Sequence, residues 1–177
     1  EALQISLKRM QQIRKRQTRI DQLKSMVKDI FISFLVSAFA WSIFLLNANK
    51  EVLLVKEKSD GKWTIPGGWC EIGLSPRENI MKEMQEETGL EVVTQRLLAV
   101  FDKKCHPHPP QSHYVYKLVY QCNTAYEQLL NPNFEILEAR FFPVNELPDL
   151  SNDRILKSQI ELLHKKVMEE DWQVYSD

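Results

Sequence analysis

Three glutamates near the middle of the chain have the spacing of a metal-binding site. Glu83, Glu86 and Glu87 lie at positions i, i+3 and i+4, so a helix would place them on one face. They fall in the last turn of the predicted helix, where mutual repulsion and the negative helix end each cost roughly 0.2–1 kcal/mol. Lys82 is the only cation near them on this helix, and we expect it to point elsewhere. The pattern indicates a Mg²⁺ or Mn²⁺ site, with a solvated acidic face as the alternative.

The loop before this helix is suited to a close approach by a ligand. Gly67 and Gly68 follow a proline and carry no side chains, and Glu71 lies in the same loop. A strand, a glycine loop and an acidic helix would together place a divalent metal beside a bound phosphate.

The ends of the helix are marked in the sequence. Ser75 is a good N-cap, Pro76 suits the first helical position, and Glu78 completes a capping box. Gly89 is a natural C-terminal stop. We therefore predict a helix that ends at Thr88.

Composition excludes several classes of protein. The chain has 177 residues, 44% of them hydrophobic and 27% charged, which fits one globular domain with a small appendage. Its net charge of −1 argues against a nucleic-acid binder, although residues 1–29 form a basic arm of +5, with eight Lys/Arg and three Asp/Glu. The three cysteines are odd in number and form no CxxC pair, which fits a reducing cytoplasm.

The long uncharged stretch at residues 30–46 allows two interpretations. It approaches the length of a membrane span, with the basic arm as its flank. We favour a strand over 36–46, because bulky residues alternate with small ones, and a strand this apolar is expected where both sheet faces are covered. The bulky residues are Phe39, Trp41, Ile43 and Leu45.

The remaining pattern predicts a mixture of hairpins and helices around a mixed sheet. Residues 3–31 form a predicted helix whose seven-residue apolar spacing fits either a coiled-coil seam between subunits or packing on its own domain. The closing helix is predicted over 153–168. Turns are predicted at 47–50 and 59–61, and strands at 51–56, 62–65, 95–102, 113–122 and 139–143.

Residues 68–90 resemble the signature of the Nudix hydrolase family. That signature reads Gly, five residues, Glu, seven residues, Arg-Glu, an aliphatic residue, any residue, Glu-Glu, any residue, Gly and an aliphatic residue. The positions that match are Gly68, Glu83, Met84, Glu86, Glu87, Gly89 and Leu90. Leu74 stands where the first Glu belongs, and Lys82 replaces the Arg, which keeps the charge but loses the bidentate fork.

The resemblance implies a MutT-like α/β/α sandwich with a mixed β-sheet over residues 36–177, preceded by a helical arm at 1–35 that is a candidate dimerisation element. It further implies an Mg²⁺-dependent pyrophosphatase, with Mn²⁺ as a substitute. Three further segments, at 55–63, 66–69 and 101–103, resemble those of a bacterial subgroup of CDP-choline and ADP-ribose pyrophosphatases. The expected substrate is a nucleoside diphosphate linked to another moiety. The alternatives are a nucleoside-triphosphate sanitising enzyme, a non-catalytic nucleotide-binding domain, and a membrane-tethered protein.

The resemblance also implies roles for individual residues. Glu83, Glu86 and Glu87 would bind metal, with the Gly67 carbonyl and Glu71 as further ligands. The candidates for the catalytic groups are Glu83 and Glu86, together with Glu135 and Glu138 as bases from a loop before the strand at 139–143. The aromatic candidates for base stacking are Trp63, Trp69, Phe101 and Tyr114, with core packing as the alternative for Trp63 and Phe101. The candidates for phosphate contacts are Lys103, Lys104, His106 and His108.

Overall fold

The computed structural model describes residues 14–27, 39–71, 73–110, 115–124, 130–131 and 135–177, and it divides the chain into two units at residue 36. In the first unit residues 14–27 are helical (α1), within the helix predicted for 3–31. The other residues of that predicted helix lie outside the described ranges. Among the described residues, no helix is long and apolar enough to cross a membrane.

The second unit has the predicted mixed α/β architecture. Its described residues contain the α-helices α2 (Pro76–Thr88) and α3 (Lys157–Met168). Its strands are β1 (Phe39–Leu45), β2 (Val52–Glu57), β3 (Trp63–Thr64), β4 (Val92–Asp102), β5 (Tyr116–Thr124), β6 (Ile136–Phe142) and β7 (Tyr175–Ser176). They divide between a four-stranded sheet of order β1-β5-β4-β7 and a three-stranded sheet of order β3-β2-β6. The first sheet is mixed, because β5 pairs parallel with β1 and antiparallel with β4.

The apolar stretch after the arm contains strand β1, as predicted. The described part begins at Phe39, and residues 36–38 lie outside it. Ile43 and Leu45 pack in one apolar cluster with α2, and Phe44 packs in the other cluster, so both faces of this part of the strand are covered. Phe39 is exposed, which differs from its predicted place in the core.

Strand β2 follows β1 in the chain but does not pair with it as a neighbouring strand. After the turn at 47–50, Leu46 and Val52 form one isolated bridge, and β2 then pairs with β6 and β3 in the second sheet. The hairpin between β2 and β3 turns at Gly61, whose φ of +68° favours glycine.

Helix α2 begins and ends where its capping residues predict. The Ser75 side chain accepts from the backbone N–H of Glu78, and the Glu78 side chain accepts from the N–H of Ser75. Gly89 has φ +73° and donates its N–H to the Gln85 carbonyl. Because these caps fix both ends of α2, they also fix the position of the three glutamates in its last two turns.

Helix α3 starts four residues later than predicted. Residues 152–154 form a turn, and the side chain of Gln159 accepts the N–H of Leu156 at the helix start. The buried residues Ile155, Ile160 and Leu163 still form the predicted apolar stripe against the core.

Candidate active site

A cleft of about 570 Å³ brings the glycine loop, α2 and the large sheet together. Glu83 and Glu87 of α2 lie on one part of its wall, and Gly67 and Gly68 lie beside them. A cavity of this size fits a nucleotide-sized ligand.

The two glycines are required by the close approach of their neighbours. A Cβ at Gly67 would lie 2.2 Å from the carbonyl oxygen of Trp41, and a Cβ at Gly68 would lie 2.5 Å from Oε1 of Glu83. The loop is held on β1, since Trp41 donates its N–H to the Gly68 carbonyl at 2.9 Å. The Gly67 N–H donates to Oε2 of Glu87 at 3.0 Å. The loop backbone and both carboxylates therefore form one packed unit.

The surroundings of Glu83 and Glu87 in the cleft disfavour their ionised forms. Burial, with the nearby charge of Glu83, raises the pKa of Glu87 to about 8, although the Gly67 N–H acts in the opposite direction. Burial, with the charge of Glu86, raises the pKa of Glu83 to about 6. Burial also raises the pKa of Glu57, which pairs with Arg154. A divalent cation at this wall would offset the repulsion between the carboxylates.

The donors at this wall fit a magnesium ion in their chemistry. Glu83 and Glu87 supply carboxylate oxygens and Gly67 supplies a backbone carbonyl. Within the described ranges, no three His, Cys, Asp or Glu side chains are grouped closely enough to hold a metal by themselves. Mg²⁺ is commonly bound by one or two carboxylates together with substrate phosphates and water, so two carboxylates meet its needs. The neighbouring Cys70 is unsuited to the role, because burial raises the pKa of its thiol to about 11.

Two of the predicted ligands, Glu86 and Glu71, lie beside Lys82 instead. The expectation that Lys82 points away from the glutamates is wrong: its Nζ forms an ion pair with Glu71 and lies 3.8 Å from Oε1 of Glu86. The Glu86 side chain is 52% exposed and does not line the cleft, whereas Glu71 does. Lys82 thus links the glycine loop to α2 from the position of the family's Arg.

The two candidate bases differ in position. Glu135 lines the cleft, and its backbone carbonyl accepts the N–H of Lys58. Glu138 lies within β6 and is paired in register with Lys56, so its predicted place in a loop is wrong, and it does not line the cleft. The strand begins at Ile136, earlier than predicted, because its pairing with β2 extends to Glu57.

The predicted substrate-binding residues are divided between the cleft and the core. Trp69 lines the cleft and is half exposed. Trp63 is buried against Phe142 and does not line the cleft, so it has the core role named as its alternative. Phe101 belongs to the core and also reaches the cleft wall.

The polar candidates are divided in the same way. Lys103 and His108 line the cleft, whereas His106 pairs with Asp177 and packs edge-on against Phe101. Lys104 is exposed and is absent from the cleft wall. Tyr114 lies outside the described residues.

Sequence reasoning missed several polar residues of the cleft, among them three that carry charge. Glu57, Lys117 and Arg154 line it from β2, from β5 and from the turn before α3. None lies within the signature at residues 68–90, and no local spacing marks them. Only the alternation of side chains along β5 could have indicated on which face Lys117 lies.

Restoring the family's first Glu is expected to change little. Leu74 is 37% exposed, so Leu74→Glu places its carboxylate in water and should alter the free energy of unfolding by no more than about 0.5 kcal/mol. We expect no large gain in the rate of hydrolysis, since the cleft carboxylates are present without it. Steady-state kinetics and thermal melting of this variant would check both, and activation of about tenfold or more would contradict the expectation.

Comparison with known proteins identifies the family. The model of the NUDIX domain matches residues 37–165, and the chain belongs to the Nudix family. It is 46% identical over 113 residues to the Bacillus subtilis protein named "Putative ADP-ribose pyrophosphatase YjhB", which covers 64% of this chain and 54% of that protein. The chain thus spans about half the length of this curated relative.

Solved structures give the same fold. A crystal structure of a UDP-X diphosphatase superposes with a TM-score of 0.71 at 36% identity, over 79% of this chain and 66% of that one. An ADP-ribose pyrophosphatase from Streptococcus suis superposes with a TM-score of 0.71 at 30% identity, over 80% of this chain and 99% of that one.

Proposed function

We propose that this chain is an Mg²⁺-dependent hydrolase that cleaves the pyrophosphate bond of a nucleoside diphosphate linked to another moiety, of the ADP-ribose or CDP-choline type. Mn²⁺ would substitute for Mg²⁺. The products are a nucleoside monophosphate and the phosphorylated second moiety. The names of the relatives, an ADP-ribose pyrophosphatase and a UDP-X diphosphatase, support this class of substrate.

The buried carboxylates of Glu83 and Glu87, packed against the Gly67-Gly68 loop, are the observation that carries the proposal. Burial, followed by repulsion from a neighbouring carboxylate, raises the pKa of each, so ionisation of both is unfavourable without further positive charge. A pyrophosphate brings further negative charge to the same wall. A divalent cation would neutralise both and lower the pKa of an attacking water.

The proposal assigns a role to several individual residues. Glu83 and Glu87, with the Gly67 carbonyl, would hold the metal, and Glu71 and Glu86 would move from Lys82 to complete the set. Glu135 would accept the proton as the water oxygen bonds to phosphorus and the bridging P–O bond breaks. Trp69 would stack on the base.

An assay over a panel of conjugates tests the proposal. ADP-ribose, CDP-choline, UDP-sugars and nucleoside triphosphates would be supplied with Mg²⁺ or with EDTA, and the products separated by chromatography. We expect metal-dependent release of a nucleoside monophosphate from the diphosphate conjugates. Preference for triphosphates would favour the sanitising enzyme. Binding without turnover would favour a non-catalytic domain.

The two candidate bases form a matched pair for mutagenesis. Glu135→Gln should lower kcat about a hundredfold, because Glu135 lines the cleft and would accept the proton. Glu138→Gln should leave kcat within about twofold, since surface substitutions of this kind change little. Equal effects of the two substitutions would contradict the assignment of Glu135.

We extend the proposal to a cytoplasmic homodimer. Cys70, Cys105 and Cys122 are all free, which fits a reducing compartment. Ile20, Leu23 and Val27 of α1 are exposed and have heptad spacing, which fits a subunit seam. Analytical ultracentrifugation of the full chain tests the dimer, and a monomer at micromolar concentration would contradict it.

A further inference from the structure

A second group of charged side chains lines the same cleft and is basic. Lys103, Lys117 and Arg154 share the cleft wall with His108. Nothing in the Nudix signature at 68–90 accounts for them. Three cations on one wall of an acidic protein call for a physical reason.

The backbone holds two of these cations side by side. Lys103 and Lys117 come from neighbouring strand ends, since the N–H of Lys103 donates to the carbonyl of Val115. Their ammonium groups donate to two successive backbone carbonyls, those of Asp153 and Arg154 respectively. The turn at 153–154 therefore fixes both cations in the wall.

Nearby carboxylates leave one of these cations uncompensated. Glu57 pairs with Arg154, and the charge of Asp153 acts favourably on Lys103. Within the described part of the chain, no carboxylate forms an ion pair with Lys117. Burial, with the charges of Lys103 and Arg154, lowers the pKa of Lys117 to about 7.

The acidic and basic groups line the same cleft. Arg154 connects them, because its charge acts both on Glu87 and on Lys117. A substrate that places its pyrophosphate against the carboxylate wall would bring an adjoining group to the basic wall.

We propose that Lys117, together with Lys103, forms an anion subsite for the group beyond the pyrophosphate, so that the preferred conjugates carry a carboxylate or phosphate on that group. The inference rests on the proposed function for the identity of the conjugate. It predicts the highest kcat/KM for conjugates of a sugar acid or sugar phosphate. Conjugates of a neutral sugar should follow, and those of a cationic group such as choline should have the lowest value. The bound anion would supply the charge partner that Lys117 lacks, and a charge-assisted hydrogen bond of this kind is strong.

A series of conjugates with one nucleoside and three charges tests this directly. Relative to the neutral UDP-glucose, UDP-glucuronate carries a carboxylate at C6 of the sugar and UDP-glucosamine carries an ammonium group at C2. At neutral pH we expect kcat/KM for the glucuronate to exceed that for the glucosamine at least about tenfold, mainly through KM. Lys117→Met, which keeps the length of the side chain, should bring the ratio close to one.

Calorimetric titration of the same three conjugates in EDTA separates this inference from the proposed function. If no conjugate is hydrolysed but the glucuronate binds the more tightly, and Lys117→Met removes the difference, the proposed function fails and the anion subsite stands. If conjugates are hydrolysed and bound without regard to their charge, the subsite fails and the function stands. Equal weakening of all three by Lys117→Met would assign Lys117 to the pyrophosphate and overturn the subsite. Lys165→Met, on α3 and outside the cleft, is the matched control and should behave as the wild type.

Discussion

Glu87→Gln is expected to lower the rate of hydrolysis at least about a hundredfold while the fold persists. The substitution removes one negative charge from the wall that is proposed to hold the metal and the pyrophosphate. The side-chain oxygen of Gln can still accept the N–H of Gly67, so the contact between loop and helix remains. Steady-state kinetics at saturating Mg²⁺ would measure the loss.

The controls for this variant are chosen by charge and position. Glu161→Gln removes the same charge from α3, where Glu161 is exposed and pairs with Lys157, and it should leave the rate unchanged. Glu86→Gln should also be impaired at least about a hundredfold if Glu86 turns from Lys82 to the metal. Undiminished hydrolysis by both the Glu86 and Glu87 variants would remove the metal assignment.

Glu87→Gln is also expected to stabilise the metal-free protein at high pH. Because the pKa of Glu87 is near 4.5 when unfolded and about 8 when folded, the folded state holds its proton more tightly. Stability of the wild type therefore falls as pH rises from 4.5 to 8, and Glu87→Gln removes this loss. The gain should be on the order of 4 kcal/mol at the upper end of that range and nearly absent at the lower end. Thermal melting in EDTA across this range would measure it, and a gain that does not depend on pH would contradict the electrostatic explanation.

Local chemistry made α2 and its loop predictable from the sequence. The capping box of Ser75 and Glu78 and the left-handed Gly89 act within one turn of helix, so they do not depend on the rest of the fold. The Gly67-Gly68 loop was predictable for a similar reason, since close backbone approach requires glycine.

Long-range pairing was less predictable. The apolar residues of β2 fit a partner on either side, and only the tertiary fold decides that β6 is its neighbour in place of β1. The same is true of the cleft, where Lys117 and Arg154 come together from segments 37 residues apart. The direction of Lys82 depended on Glu71, which lies 11 residues away.

Deletion of strand β1 is the second change with a large expected effect. It also distinguishes the strand interpretation of residues 30–46 from the membrane interpretation. A chain that lacks residues 1–46 is expected not to fold, while a chain that lacks only 1–28 is expected to keep the proposed Mg²⁺ site and to lose the proposed dimer. Deletion of β1 removes the parallel partner of β5 along seven registered positions. It also removes the strand that holds the Gly67-Gly68 loop.

The energy of this deletion can be compared with the stability of the whole domain. Ile43, Phe44 and Leu45 are essentially fully buried, and at about 1.5–3 kcal/mol each they represent roughly 5–9 kcal/mol of the free energy of unfolding. A typical domain has about 5–15 kcal/mol in total, so the contribution of these three residues is comparable to it. The membrane interpretation predicts the opposite, namely that removal of 1–46 releases a better-behaved enzyme. Solubility and near-UV circular dichroism of the two truncated chains distinguish the strand and membrane interpretations. A folded, active 47–177 fragment would overturn the role of β1. An unfolded 47–177 fragment beside a folded 29–177 fragment would establish that the domain depends on this strand.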